Sequence, residues 1–499
     1  MEITRFLSNL EANHNVVLSE FQASLTGREL YYSISEFAAE LENSGFEKGS
    51  AALVRMTNSI SSVIAFFGVL KAGGVVFVGN PYDPIPRVCQ VIKQFGVECF
   101  FADKPSVFAV QNTFAMQVIE SEVNEHLNGR MFSYSLSKVN EPAIAESKKA
   151  LNPITDAQVA IFSSGTTGQP KAILHSARNV FINAQRHCDA VGLRSDDVIA
   201  GFLPIYYSYG LVANLIASLV KGSKFVFQAR SSQLDPLWAN ENKISVLALT
   251  PYFGQRLDVD IPSLRMLTFG GDALSSEAAN ILKSKFAGCE LYSTYGLTEA
   301  GPRVASWRFD HQDIPSGLIV PLGEPLAGCE LELLSHSDDA TDLGELVVKT
   351  STRTLGYFYG VERGVEMPDW PEGKVKTGDL FMKTNEHFYF VSRDKEMIVQ
   401  NGEKLFPPVI ESIIRHIDGV IDVRVEGIFD QEKGQIARAK IHADIEIPAS
   451  KLRRSLLKEL PHASIPADFV FVDHIERSAT GKKLTKAVKH EGQGTEPAV

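Results

Sequence analysis

Short apolar runs alternate with amphipathic stretches along most of this chain. Residues 52–54, 75–78, 99–101, 158–162, 198–203, 224–227, 245–249, 266–268 and 290–292 have the length and the branched or aromatic content of buried strands. Helical spacing fills several of the gaps and predicts helices over 59–71, 177–191 and 275–286. Strand–helix alternation of this kind predicts parallel sheets covered by helices on both faces. A chain of 499 residues needs more than one such layer. The fold class expected is therefore α/β, with a large N-terminal domain of layered, mostly parallel sheets.

The pattern changes after Pro321. Residues 347–349 and 388–390 read as strands of a small β subdomain spanning about 322–393. A charged boundary, Ser392-Arg393-Asp394-Lys395, closes the large domain at 1–393. Residues 394–489 then read as a separate α+β domain, the size of an independent unit. In it, strands are expected at Ile398, 421–425 and 437–443, and helices at 408–416 and 450–460. The tail 490–499 is rich in Gly, Glu and Pro and is expected to be disordered. The polar stretch 135–152 reads as a surface connection. The apolar run 62–78 is broken by Lys71 and Gly73-Gly74, so it reads as helix, turn and strand rather than a membrane span.

Composition narrows the classes. Hydrophobic residues make up 44% and charged residues 22%, ordinary values for a globular enzyme. A net charge of −11 argues against nucleic acid as a partner, since phosphates need a basic excess. The five cysteines are scattered with no CxxC pair, which fits thiols in a reducing compartment rather than a zinc site or disulfide framework. The N-terminus lacks the layout of a signal peptide, so the expected location is cytoplasmic.

The candidate chemistry begins at Phe162-Ser163-Ser164-Gly165-Thr166-Thr167-Gly168-Gln169-Pro170-Lys171. A strand running into such a loop is a phosphate cradle: glycines admit the anion, hydroxyls and N–H groups donate, and Lys171 adds charge. It is not a Walker A loop, because Pro170 stands before the lysine. A second motif, Tyr295-Gly296-Leu297-Thr298-Glu299, offers a hydroxyl and a hard carboxylate suited to Mg²⁺. A third, Lys376-Thr377-Gly378-Asp379, offers a carboxylate for ribose hydroxyls. A fourth is Arg477-Ser478-Ala479-Thr480-Gly481-Lys482.

These four motifs, in this order, resemble those of the adenylate-forming enzymes: acyl- and aryl-CoA synthetases, peptide-synthetase adenylation domains and luciferases. One departure is Ala172, where the family has glycine. The resemblance implies ATP, Mg²⁺ and either CoA or a carrier-protein phosphopantetheine acting in trans. It assigns Ser163, Ser164, Gly165, Thr166, Thr167, Gly168 and Lys171 to the phosphates, and Thr298 to the α-phosphate. Glu299 takes the metal, Tyr295 lies near adenine and the acyl group, and Asp379 and Arg393 hold the ribose. Asp394 becomes the hinge of a mobile C-terminal domain, and Gly402 faces the thiol channel. Lys482 bridges the attacking carboxylate and the phosphate, with Lys483 as the competing choice.

By the same resemblance, Leu203 to Leu211 lines the acyl pocket with Tyr207 and Ser208, and Gly270 and Gly271 form another wall. Tyr206, Tyr207 and Tyr209 are expected to flank a flat ring. Family members that activate α-amino acids place an aspartate where Ser208 stands. Without it a buried ammonium has no partner, at a cost of several kcal/mol. An aryl or short-to-medium acyl acid is therefore expected. His175 and His187 lack metal-ligand spacing and read as structural or exposed. The expected activity is an acid–thiol ligase, monomeric or homodimeric. The alternatives are a stand-alone adenylation enzyme serving a carrier protein, a luciferase-like oxidation of the adenylate, and a non-catalytic nucleotide-binding scaffold or sensor.

Overall fold

The computed structural model describes the chain except residues 1–2, 22, 112–115, 123–124, 128–129, 133, 140–155, 163–169, 229–232, 316, 318, 336–341, 401–402, 431–433, 478–482 and 484–499. Two sheets, each of nine described strands, dominate it. In the first, the order is 324–325, 305–308, 290–295, 266–269, 246–249, 198–201, 224–227, 16–20, 23–26. In the second it is 365–366, 356–358, 172–175, 159–162, 75–79, 51–55, 99–103, 134–139, 116–122. Both have parallel centres and antiparallel edges.

Residue parity shows how the sheets stack. Ala52, Val54, Val76 and Val78 of the second sheet enter one core with Ile199, Val246 and Met266 of the first. Their chain neighbours Leu53, Phe77, Leu247 and Leu267 point away into separate outer cores. Side chains alternate across a strand, so each sheet is covered on both faces. The middle layer contains the helix Ile60–Lys71, buried from Ile60 through Leu70. A helix that is apolar all round has no solvent face, and this one sits between sheets. Its start is set by Ser59, whose side chain accepts from the Ser62 N–H.

Most expected strands and helices are found to within a few residues. The run 198–203 is a strand only over Val198–Gly201. The stretch 135–152 is not wholly a connection: Tyr134–Val139 is a strand paired on both edges, and 140–152 lies outside the described residues. The region 322–393 is divided. Cys329–Ser335, Leu343–Thr350, Lys374–Thr384 and His387–Arg393 form a four-stranded antiparallel sheet. Gly356–Phe358 instead pairs with Ala172–His175 and extends the second large sheet.

After the short turn Asp394–Glu396, a small unit gathers its own core around Ile410, Ile414, Val423, Ile441 and Leu452. Helices Pro407–Arg415 and Ala449–Leu456 contribute to this core beside a three-stranded sheet. Among the described residues, no helix is long and apolar enough to cross a membrane. Cys89, Cys99, Cys188 and Cys329 are buried free thiols, and Cys289 is partly buried.

Candidate active site

The candidate residues collect beyond the carboxyl ends of parallel strands, where open α/β sheets place ligands. In the first sheet, Met266–Phe269 leads to Gly270-Gly271, Glu290–Tyr295 to Thr298-Glu299, and Val198–Gly201 to the Tyr207-Ser208 segment. In the second, Val159–Phe162 leads into 163–169. Ser163, Ser164, Gly165, Thr166, Thr167 and Gly168 lie outside the described residues, as do Gly402, Lys482 and the tail 490–499.

One polar cluster joins the first sheet to the four-stranded sheet. Asp379 is 5% exposed. The Tyr295 hydroxyl donates to its Oδ2 at 2.7 Å, and Arg393 Nε lies 3.3 Å from its Oδ1. Gly378 takes a φ of +68°, and the Thr377 hydroxyl accepts from the Asp379 N–H at 3.1 Å. Burial, then the Asp379 charge, raises the Tyr295 phenol well above its ordinary value, so it stays a donor. Burial works against the Arg393 charge, but Asp379, Glu396 and Asp272 outweigh it and its pKa rises.

A second cluster joins both large sheets to the start of the small unit. Tyr357, from the edge strand Gly356–Phe358, donates its hydroxyl to Glu299 Oε1 at 3.0 Å. Lys171 Nζ lies 3.5 Å from the centroid of the same ring. Burial lowers the Lys171 pKa, Glu299 opposes that shift and Lys395 adds to it. Lys171, Glu299 and Lys395 therefore share one local field. Glu299 keeps lone pairs beyond the one that Tyr357 occupies. Among the described residues, no group of three His, Cys, Asp or Glu could hold a metal. One carboxylate sharing a field with a lysine fits Mg²⁺ with a phosphate, since Mg²⁺ takes one or two protein carboxylates and phosphate oxygens.

The acyl-pocket candidates form a third cluster. Ser208 Oγ lies 2.8 Å from Thr298 Oγ1, linking the pocket segment to the second motif. A Cβ on Gly270 would stand 2.7 Å from Thr294 Oγ1 and 3.0 Å from the Tyr209 ring, so this wall has to be backbone. Gly271 follows with a φ of +84°. The three tyrosines expected around a flat ring are placed differently from one another. Tyr206 is buried against Tyr82 and Tyr207. Tyr209 opens a π-helix, Tyr209–Ile216, and its hydroxyl is engaged with Thr268. Only Tyr207 of the three stays partly exposed.

Sequence reasoning missed Tyr357, Lys395 and Arg303. Tyr357 lies far along the chain from Glu299 and carries no motif. Arg303 had a signal: it is a lone charge in the small and apolar run Ala300-Gly301-Pro302-Arg303-Val304-Ala305. It is 3% exposed, and burial lowers its pKa. His175 and His187 are fully buried and structural. Of the two candidate lysines, Lys483 is described. Lys483 is buried, paired with Glu411, and donates to the Val423 carbonyl at 2.6 Å.

The model of the AMP-binding enzyme family matches residues 9–358. The chain belongs to this family. Among AMP-binding relatives, a 2-succinylbenzoate–CoA ligase from Bacillus pumilus (strain SAFR-032) is 27% identical over 484 residues, covering 94% of this chain and 93% of that one. The o-succinylbenzoate–CoA synthetase of Bacillus subtilis, solved with the acyl-adenylate OSB-AMP, superposes with a TM-score of 0.78 at 20% identity, covering 98% and 99% of the two chains. ATP-bound MatB from Rhodopseudomonas palustris gives a TM-score of 0.78 at 20% identity, covering 97% of each. The two structures establish the fold, with its large N-terminal and small C-terminal domains.

Proposed function

We propose that this AMP-binding enzyme is an ATP-dependent acid–CoA ligase working through an acyl-AMP. The observation that carries the reading is the convergence of Glu299, Lys171 and the Asp379–Tyr295–Arg393 cluster beyond the ends of the parallel strands. The near full-length match to a CoA ligase supports CoA over a carrier protein as the thiol.

In the first half-reaction a carboxylate oxygen attacks the α-phosphorus of ATP and pyrophosphate leaves. In the second the thiol sulfur attacks the acyl carbon, AMP leaves and the thiol proton passes to solvent. Asp379 accepts ribose hydroxyls, held in place by Tyr295 and Arg393. The loop 163–168 and Lys171 hold the phosphates. Thr298 donates to the α-phosphate, and Glu299 holds Mg²⁺, steadied by Tyr357. Magnesium, when bound, offsets phosphate charge and favours departure of pyrophosphate. Lys482 is the residue assigned to stabilise the charge that develops as the carboxylate attacks the α-phosphate. Ser208, Tyr207, Gly270 and Gly271 border the acid. Asp394 is the hinge and Gly402 borders the thiol path. The cytoplasm is the proposed compartment.

The test is a panel of carboxylic acids, each incubated with ATP and Mg²⁺, with and without CoA. Acid-dependent ATP–pyrophosphate exchange without CoA, and AMP with acyl-CoA when CoA is added, is the expected result. Nucleotide binding with no acid-dependent pyrophosphate release would instead leave a scaffold.

A further inference from the structure

Arg303 is a buried cation with no carboxylate partner among the described residues. Its Nη1 donates to Thr294 Oγ1 at 2.9 Å, its guanidinium lies 4.3 Å from the Tyr209 ring centroid, and its Nε meets no acceptor. Its charge also helps to lower the pKa of His187, a buried imidazole held neutral. Taking such a charge out of water costs several kcal/mol unless an anion answers it. An apolar side chain of similar volume would fill the space without that cost.

Its position is fixed and is next to Gly270, which the proposed function sets at the border of the acid. The Asn183 amide grips the Arg303 backbone from both sides: Nδ2 donates to its carbonyl at 2.8 Å, and Oδ1 accepts from its N–H at 2.9 Å. A Cβ on Gly270 would lie 3.1 Å from Arg303 Nη1. The guanidinium therefore lies against Gly270, beside Tyr209 and Thr294. Arg303 follows the Thr298-Glu299 pair by only a few residues, and Thr298 is bonded to Ser208. A guanidinium is always charged, and its planar fork matches a carboxylate.

We propose that Arg303 is the specificity-determining residue of the acyl pocket and binds a second carboxylate of the substrate. The acid is then dicarboxylic: one carboxylate is activated near Thr298 and the other pairs with Arg303. This rests on the acid–CoA ligase reading. The bland competitor is an arginine that only packs on Tyr209 and bonds Thr294.

The test is ATP–pyrophosphate exchange with acids in pairs that differ by one carboxylate: glutarate and pentanoate, adipate and hexanoate, isophthalate and benzoate, and 2-succinylbenzoate and the same keto acid without its ring carboxylate. In the wild type, the dicarboxylic member of the best pair should win in kcat/KM by at least about a hundredfold, a threshold below the roughly 10⁴-fold by which a site with a dedicated polar partner rejects an analogue lacking it. Arg303→Met should abolish that ratio, and Arg303→Lys should restore part of it. Stabilisation of each variant by ATP in thermal unfolding reports the fold independently. Exchange that favours the monocarboxylic member in every pair overturns the subsite and leaves the ligase reading standing. So does a ratio unchanged in Arg303→Met. No exchange with any acid overturns the ligase reading and the subsite with it. Should Arg303→Met not bind ATP, Arg303→Lys and Arg303→Gln carry the same ratio test, and an unchanged ratio in Arg303→Gln is equally fatal.

Discussion

His175 and His187 are held neutral by burial, their pKa values pushed down to about 4 and about 3. The Thr298 backbone partly opposes the first shift, and Arg303 adds to the second. Each takes up a proton in the unfolded chain near pH 6.5 but in the native state only at far lower pH. The unfolded state thus binds more protons in that window, and stability falls as pH drops from 6.5 toward 4. For His175 alone the loss is roughly 3 kcal/mol, from the free energy of each pKa unit. The unfolding midpoint should therefore fall on going from pH 7 to pH 4.5, and fall distinctly less in His175→Leu. An equal fall in both would mean that His175 does not carry it. At this scale the sequence made legible which residues come together where a motif named them. Asp379, Arg393 and Glu299 were each foreseen, and the structure gives each a close partner. Tyr357 and Arg303 were not, because their significance comes from a fold contact rather than from neighbours in the chain.

At the scale of elements, the segment 478–482 is bracketed by two anchored cations. Arg477 and Lys483 face each other as an isolated β-bridge. Arg477 donates to Asp422 at 2.5 Å, and Lys483 pairs with Glu411 and lies 4.0 Å from Asp422. Arg415 and Arg424 flank the same two carboxylates at 3.8 Å. Breaking one side of a buried pair costs about 3–5 kcal/mol, since the other charge is left without its partner. Lys483→Ala should accordingly lower the unfolding midpoint of the small unit. Lys482→Ala should leave that midpoint in place and lower acyl-AMP formation at least about a hundredfold, the scale of removing one electrostatic stabiliser. The opposite pattern would exchange the two assignments. Sequence spacing favoured Lys482, but only the packing shows that Lys483 is committed elsewhere. Strand existence was readable in the same limited way. Short apolar runs announced buried strands, yet nothing local told Gly356–Phe358 to join a sheet begun far earlier in the chain.

At the scale of the whole molecule, the small unit touches the large one at defined points. Arg477 lies 4.1 Å from the Tyr252 ring centroid, with Arg256 at 3.9 Å from the same ring, and His416 lies 3.4 Å from Glu277. Arg477, the first residue of the fourth motif, thus stands against the large domain. Asp394 begins a short 3-10 turn, and Arg393 before it is extended at φ −81°, ψ 139°. Proline is accepted at the first position of a helical turn and requires an extended residue before it. Asp394→Pro should thus preserve the present arrangement and hinder departure from it. Acyl-AMP formation should survive, while conversion of supplied acyl-AMP and CoA to thioester should collapse. Equal loss of both half-reactions would point to a folding defect and against the hinge. The sequence marked this boundary by its charge alone; which arrangement the turn favours is a property of tertiary contacts.

The most direct test of the central claim is a single-turnover reaction of the full chain with ATP, Mg²⁺ and its best acid, first without CoA and then with it. Products are read by mass spectrometry. The account expects acyl-AMP and pyrophosphate in equal amounts before CoA is added, then acyl-CoA and AMP in its place. Formation of ADP and phosphate, or of acyl-CoA with no acyl-AMP preceding it, would contradict the account.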